Sequence, residues 1–320
     1  MDIANNAEKR MVYLVIPCYD EEEVLADSVC QLLHLLPNLP CETCILLVDD
    51  GSTDGTWPLI CDLSEQNGAV SGLRLAHNVG QQTAIWAGME SCVEVADAVI
   101  CIDADLQDDI SVISRMMQDY LDGADVVYGV RRERASDSHV KRWTALLFYR
   151  LMASLGCDMV YNHADFRLLS RRASLALLSY PERNLFLRGI VPMLGFNTKK
   201  EYYDRQPRQA GETKYSLSKS AALAFDGITS FSVRPLHWIL VAGAFFILVA
   251  LGVIAWALFN RFTGRAVEGW TSLLVSLWLV AGLLLLAIGI TGEYIGKIYN
   301  EVKRRPRYFV METTDKEQKE

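Results

Sequence analysis

Two uncharged apolar runs constrain this chain more than any other feature. Trp238 to Phe259 spans 22 residues without a formal charge, and Gly269 to Gly292 spans 24. At about 1.5 Å per residue, each is long enough to cross a hydrocarbon core of about 30 Å. The expected anchor is therefore a two-helix hairpin, with spans at about 237–259 and 269–292. Its connecting loop holds only Arg261, Arg265 and Glu268 as charged residues. Arg234 precedes the first run, and Lys297, Lys303, Arg304, Arg305 and Arg307 follow the second. That bias places both termini on the cytoplasmic side. The mean hydropathy of +0.14 hides the anchor by averaging it with a polar front end.

The front end alternates buried strands with helices. Residues 11–17 (MVYLVIP), 44–48, 70–75, 98–102 and 125–128 read as strands. Helices are expected after Glu21–Glu23, over 56–66 and up to about Cys92. Continuous rather than alternating apolar strands indicate a sheet covered on both faces, of mostly parallel α/β type. Two amphipathic segments, 139–155 and 215–231, are expected to pack internally or to lie along the membrane surface. The organisation expected is a cytosolic domain over 1–210, a juxtamembrane segment over 211–235, the hairpin over 236–296, and a basic then charged tail over 297–320. Residues 311–320 of that tail are expected to be disordered.

Composition removes several classes. A formal charge of −8, from 31 basic and 39 acidic residues, argues against nucleic acid as a partner. The eight cysteines lack the spacing of a secreted disulfide framework, and Cys41-x-x-Cys44 has no second pair at metal-site spacing. They are read as reduced thiols of a cytosolic domain. The opening run MVYLVIPCY is too short for a span and unlike a signal peptide. Neither G-x-G-x-x-G nor the P-loop pattern occurs, so any phosphate site must be built differently.

Polar clusters follow the strand ends, where open α/β sheets bind ligands. Asp103-Ala104-Asp105 comes directly after an apolar strand. Two carboxylates there can meet a hard divalent cation and leave coordination positions for diphosphate oxygens; solvated turn acids are the competing reading. Asp49 or Asp50 could accept hydrogen bonds from a base or ribose, and Asp20 and Glu21 are similarly placed after the first strand, where a helix-start role is the competing reading.

The blocks IPCYDEEE (16–23), VDDGSTDGT (48–56), NVGQQTAIWAG (78–88), DADLQDD (103–109), YGVRRER (128–134), ADFRLLSRR (164–172) and RQAGETKYS (208–216) occur in this order. With the two-span tail they make the chain resemble the family 2 glycosyltransferases, in particular the polyisoprenyl-phosphate glycosyltransferases. The resemblance implies a GT-A nucleotide-diphospho-sugar transferase fold and a homo-oligomer such as a tetramer. It also implies Mg²⁺ or Mn²⁺ as cofactor, a UDP-sugar donor, a polyisoprenyl phosphate acceptor such as undecaprenyl phosphate, and a bacterial plasma membrane location. By matching motif, Pro17, Tyr19, Asp20, Glu21, Asp49 and Asp50 belong to the nucleoside-binding surface. Asp103 and Asp105 are the ribose and metal–diphosphate elements, Asp105 being the metal ligand, with Gln107 near the donor sugar. Asp165 is the active-site carboxylate, acting by position or as a base; a salt bridge to Arg167 or Arg171 is the alternative. The resemblance makes Arg131, Arg167, Arg208 and Lys214 candidates for diphosphate and lipid-phosphate contacts, anionic headgroups being the alternative for Arg208 and Lys214. Two departures stand out: Asp20 occupies a position that is usually Asn, and Asp108-Asp109-Ile110-Ser111 replaces the common Asp-Pro-Pro-Glu.

The reaction implied is inverting displacement at the anomeric carbon by a phosphate oxygen. A processive polysaccharide synthase is the alternative enzyme, although such enzymes usually have more spans and a Gln-x-x-Arg-Trp motif. A membrane-anchored nucleotide-sugar-binding scaffold is the non-enzymatic alternative.

Overall fold

The computed structural model describes residues 10–132, 163–183, 185–204 and 270–314, with scattered positions between 236 and 263. The expected helices at 139–155 and 215–231, and Arg208 and Lys214, lie outside the described residues. The chain divides into two compact units. One comprises Met1–Arg150, Asp158–Lys214 and Arg305–Glu320; the other comprises Leu151–Cys157 and Tyr215–Arg304.

The first unit is built on an eight-stranded sheet. In chain order its elements are β1 (Met11–Cys18), α1 (Glu22–Leu35), β2 (Glu42–Asp49), α2 (Thr56–Gln66), β3 (Val70–Leu75), α3 (Gln81–Cys92) and β4 (Ala98–Cys101). Then come α4 (Val112–Leu121), β5 (Val126–Arg131), β6 (His163–Ser170), α5 (Arg171–Leu178), α6 (Leu187–Met193) and β7 (Thr198–Tyr203). β8 (Val310–Thr313) closes the series. The spatial order is β7-β5-β6-β4-β1-β2-β3-β8. The expected mostly parallel sheet is instead mixed: β6 runs antiparallel to both β4 and β5, and β8 runs antiparallel to β3.

Both faces of the central strands are covered, which explains their unbroken apolar runs. Leu14, Ile16, Ile45, Leu47 and Ile100 share one core cluster with Leu25 and Val29 of α1, Ile60 of α2 and Met116 of α4. On the opposite face α3 approaches so closely that Gly88 has no room for a side chain. A Cβ there would sit 2.5 Å from Val15 Cγ1 and 2.8 Å from Val48 Cγ2. Gly88→Ala is therefore expected to cost about 1–3 kcal/mol by overpacking. Chemical denaturation checks this, and an unchanged midpoint would remove the close-packing argument.

The tail is not a disordered extension where it is described. Val310–Thr313 pairs with β3, placing Arg74 opposite Glu312 and Leu73 opposite Thr313. Gly72 N donates to Thr314 Oγ1 at 2.8 Å, and Thr314 N returns a bond to Gly72 O at 2.9 Å. Upstream, Arg307 lies over the Trp86 ring at 4.0 Å and donates to Tyr180 O and Glu182 O. Tyr308 Oη donates to Glu90 at 2.7 Å. A charged composition suggests a solvated tail, but Arg307 and Tyr308 find partners on neighbouring segments, and Glu312, Thr313 and Thr314 find theirs on the sheet edge.

In the second unit, α7 (Trp270–Lys303) is 34 residues long, or about 51 Å at 1.5 Å per residue. Its segment Leu279–Lys303 is the one stretch among the described residues long and apolar enough to cross a membrane. Only 6% of its apolar window is buried, unlike a core helix of a soluble protein. The second expected span thus falls on one continuous helix, and the described positions of the first, between Trp238 and Trp256, are helical.

Candidate active site

The strand order reverses direction at β1, which has β2 on one side and β4 on the other. The crevice outside the carboxyl ends at such a switch point is where α/β sheets take ligands. Three acidic segments converge there: Tyr19–Glu21 after β1, Asp49–Asp50 at the end of β2, and Asp103–Asp105 after β4. The antiparallel β6 adds a fourth. Because Cys101 pairs with Arg167, continuing that register carries Asp165 alongside Asp103.

The β1 and β2 loops are stitched together. Pro17 lies within β1 opposite Val48, and Tyr19 is exposed. Asp20 adopts φ 51°, a left-handed conformation that Asn and Asp tolerate better than most residues. Its Oδ1 accepts from Thr53 N at 2.9 Å, and its own N–H donates to Ser52 Oγ at 3.0 Å. An Asn carbonyl could accept the same bond, so the Asp20 departure preserves this contact. Glu21 N donates to Thr56 Oγ1 at 3.0 Å. Asp49 is fully buried, accepting from Ser52 N at 3.0 Å and facing Arg74 Nε at 3.3 Å. Asp50 accepts from Val79 N at 2.8 Å and Gly80 N at 2.9 Å. Its burial raises its pKa, and these two backbone bonds oppose that rise. Asp50 thus shapes the loop in which Gly80 takes φ 91°.

That loop joins the two halves of the site. Gln81 Nε2 donates to Asp103 at 2.7 Å, and the next residue, Gln82, bonds Asp165 and accepts from Leu187 N at 3.2 Å. Burial, then the neighbouring carboxylates of Asp165, Asp108 and Asp105, push Asp103 up to about 7, against the opposing pull of Arg131. Asp105 accepts from Gln107 N at 3.3 Å and Gln107 Nε2 at 2.5 Å, and the intervening Leu106 has φ 41°. Asp108 is buried and pairs with Arg131, which also reaches the Tyr203 hydroxyl. The first acid of that block, which matches the usual Asp, therefore holds a cation beside the site; Asp109, where proline is usual, accepts from Ser111 N at 3.0 Å.

Asp165 is gripped from two sides. Arg167 Nη2 lies 2.5 Å from Oδ1, while Arg188 donates to Oδ1 at 3.2 Å and Oδ2 at 2.9 Å. Burial alone would raise this carboxyl. The two guanidiniums, with hydrogen bonds from Arg188 and Gln82, outweigh burial and hold it well below the usual carboxylate range. The ion pair to Arg167 is present; the other cation is Arg188, not Arg171, which pairs with Glu94. Arg167 is 1% exposed, so it supports Asp165 from within the core, whereas the Arg188 side chain is 40% exposed.

Among the sequence-derived residues, Asp103, Asp105, Gln107, Asp165, Arg131 and Arg167 gather around the β4–β6 end, while Asp20, Glu21, Asp49 and Asp50 form the neighbouring loop pair. Gln81, Gln82 and Arg188 complete the arrangement. The polar pair following Gly80 is a local signal for the glutamines; Arg188, on α6, has no local signal, because its partner lies 23 positions earlier on β6.

The described residues contain no group of three or more His, Cys, Asp or Glu side chains able to cage a metal. Mg²⁺-type sites commonly use only one or two carboxylates and complete their shell with substrate phosphates and water. Asp103 and Asp105 fit that pattern; burial first, and then the crowded negative charge that a cation would relieve, raise the Asp103 pKa.

Residues 13–178 match the Glycosyl transferase family 2 model. The chain is 50% identical over 305 residues to the uncharacterized glycosyltransferase YkoT of Bacillus subtilis, covering 93% of this chain and 90% of the relative. It is 38% identical over 301 residues to the bactoprenol glucosyl transferase of Shigella phage SfX, covering 93% and 98%. A crystal structure of glucosyl-3-phosphoglycerate synthase from Mycobacterium tuberculosis, in complex with Mn²⁺, UDP-glucose and phosphoglyceric acid, superposes with a TM-score of 0.46 at 17% identity, covering 70% of this chain and 78% of that one. The family match and near full-length relatives make the chain a member of glycosyl transferase family 2, an enzyme that transfers a sugar from a nucleotide-sugar donor.

Proposed function

We propose that this enzyme transfers one monosaccharide from a UDP-sugar to a polyisoprenyl phosphate, with inversion, at the cytoplasmic face of a bacterial plasma membrane. The observation that carries this reading is Asp165 held between Arg167 and Arg188. A carboxylate kept ionised so far below neutral pH is a weak base. A sugar hydroxyl acceptor needs its proton removed; a phosphate monoester, with a second pKa of about 6, arrives with an ionised oxygen. The apolar helix supports a lipid acceptor. So does the name of the phage relative.

The nucleoside lies against the β1 and β2 loops, with Pro17, Tyr19, Asp20, Glu21, Asp49 and Asp50 forming or supporting its surface. Asp103 and Asp105 hold Mg²⁺ or Mn²⁺, Asp105 as its direct ligand, and Gln107 fixes the Asp105 carboxylate beside the donor sugar. When bound, that cation supplies positive charge against the diphosphate leaving group. Asp165 positions Arg188, whose partly exposed guanidinium meets phosphate together with Arg131, Arg208 and Lys214. The acceptor oxygen forms a bond to the anomeric carbon as the bond to the nucleoside diphosphate breaks, so no proton needs to be removed from the nucleophile.

Purified full-length protein, labelled UDP-sugars beginning with UDP-glucose, undecaprenyl phosphate and Mg²⁺ or Mn²⁺ test this reading. A lipid-soluble labelled monosaccharide is expected. Long polymer would replace it with a processive synthase, and transfer confined to water-soluble acceptors would overturn the lipid assignment.

A further inference from the structure

We propose that Glu312, on the C-terminal strand, is a positioning residue of the donor site that acts on Asp49 through Arg74. This inference rests on the reading that Asp49 belongs to the nucleoside-binding surface. β8 brings Glu312 opposite Arg74 across the sheet edge. Glu312 Oε1 accepts from Arg74 Nη1 at 2.9 Å, while Oε2 accepts from Trp57 Nε1 at 3.2 Å. The same guanidinium presents Nε to Asp49 Oδ2 at 3.3 Å and lies over the Trp57 ring at 5.7 Å. One planar cation is therefore shared between a fully buried acid of the VDDGSTDGT block and a half-exposed acid that lies 238 residues after the arginine in sequence.

The distances indicate how it is shared. Arg74 makes its shorter contact with Glu312 and its longer one with Asp49. Glu312 competes for the guanidinium and keeps it from closing fully on Asp49. The other Asp49 oxygen holds Ser52 N, at the start of the loop tied to Asp20. Removing the Glu312 charge lets Arg74 close on Asp49, occupying the carboxylate and pulling on this loop. Arginine suits the role because its rigid fork can address two acids at once.

The test uses full-length enzyme and compares Glu312→Gln with Arg74→Gln, Asp49→Asn and the double variant Glu312→Gln/Arg74→Gln. Glu312→Gln is expected to raise the donor KM and weaken UDP binding about fivefold to tenfold, with kcat changing less than about twofold. In the Arg74→Gln background, the Glu312 substitution is expected to add nothing. Tyr308→Phe loosens the same tail at Glu90 without touching Arg74, and is expected to leave donor KM unchanged. Equal donor KM in Glu312→Gln and wild type, an undiminished Glu312 effect without Arg74, or an equal shift in Tyr308→Phe would overturn the relay. Asp49→Asn separates the two levels. If it leaves UDP binding unchanged, the nucleoside reading fails and takes the relay with it; if it weakens UDP binding while Glu312→Gln does not, only the relay fails.

Discussion

Asp165→Ala is expected to destabilise the catalytic unit by about 3–5 kcal/mol, because it removes one partner from a buried ion pair. Arg167 is 1% exposed and sits on a central strand, so its charge cannot turn to water when the carboxylate is gone. Its Nη1 has no hydrogen-bond partner among the described residues even with Asp165 in place. Arg188 differs because its side chain is 40% exposed and can rehydrate. Arg188→Ala should accordingly cost much less stability than Asp165→Ala, while still impairing transfer if Arg188 meets phosphate.

The same ion pair sets an acid dependence. The folded Asp165 pKa is depressed below the unfolded value of about 3.9, so its contribution is fully present above that value. It is lost as pH falls through the lower folded pKa. Between neutral pH and about pH 5 the contribution should be flat, and the wild-type acid slope should become shallower in Asp165→Ala. Denaturant titrations of both proteins from neutral pH down to about pH 2 read stability and slope together. A variant with the wild-type midpoint at pH 7 would sink the buried-pair argument.

The parts of the fold that were legible in sequence are those whose stability is local or continuous. β1, β2 and β4 lie between helices on both faces, so MVYLVIP, CILLV and AVIC read as apolar runs. β6 hides because its segment HADFRLLS places Asp165 and Arg167 inside the core, where they neutralise each other rather than signal burial. β7, with sequence TKKEYY, is half solvated at an edge, and β8 is four residues whose partner strand lies more than 230 positions earlier.

The site divides in the same way. Asp103, Asp105 and Asp165 stand out as acids in short blocks, but their environments are made by distant residues. Gln81 reaches Asp103 across 22 positions, and Arg188 reaches Asp165 across 23. Asp49 looked like a hydrogen-bond acceptor at a strand end; only the tertiary structure reveals Arg74 beside it. The apolar runs were the clearest sequence feature, yet the tail following them carries a second message. Two of its charges go to specific partners, Glu312 to Arg74 and Arg307 to two backbone carbonyls, rather than to solvation.

Asp105→Ala is expected to reduce kcat by about a thousandfold while leaving the fold intact. Asp105 projects from the turn after β4, and its hydrogen bonds to Gln107 are local, so their loss does not open the core. The expected loss is in charge stabilisation. A divalent cation acting on a departing diphosphate is worth several kcal/mol, and about 4 kcal/mol corresponds to roughly three decades of rate. Asp103 cannot substitute fully, since Gln81 occupies one of its oxygens and burial beside three other carboxylates weakens it as an anion until a cation binds. Activity titrated with Mg²⁺ and Mn²⁺ should therefore show both a lower ceiling and a weaker metal dependence in the variant. Donor binding without metal should change little, which separates a lost ligand from a collapsed pocket. Retention of kcat within tenfold of wild type at saturating metal would remove Asp105 from the role of direct ligand, and would move the search to Asp103 and Asp165, the carboxylates that converge on the same strand ends.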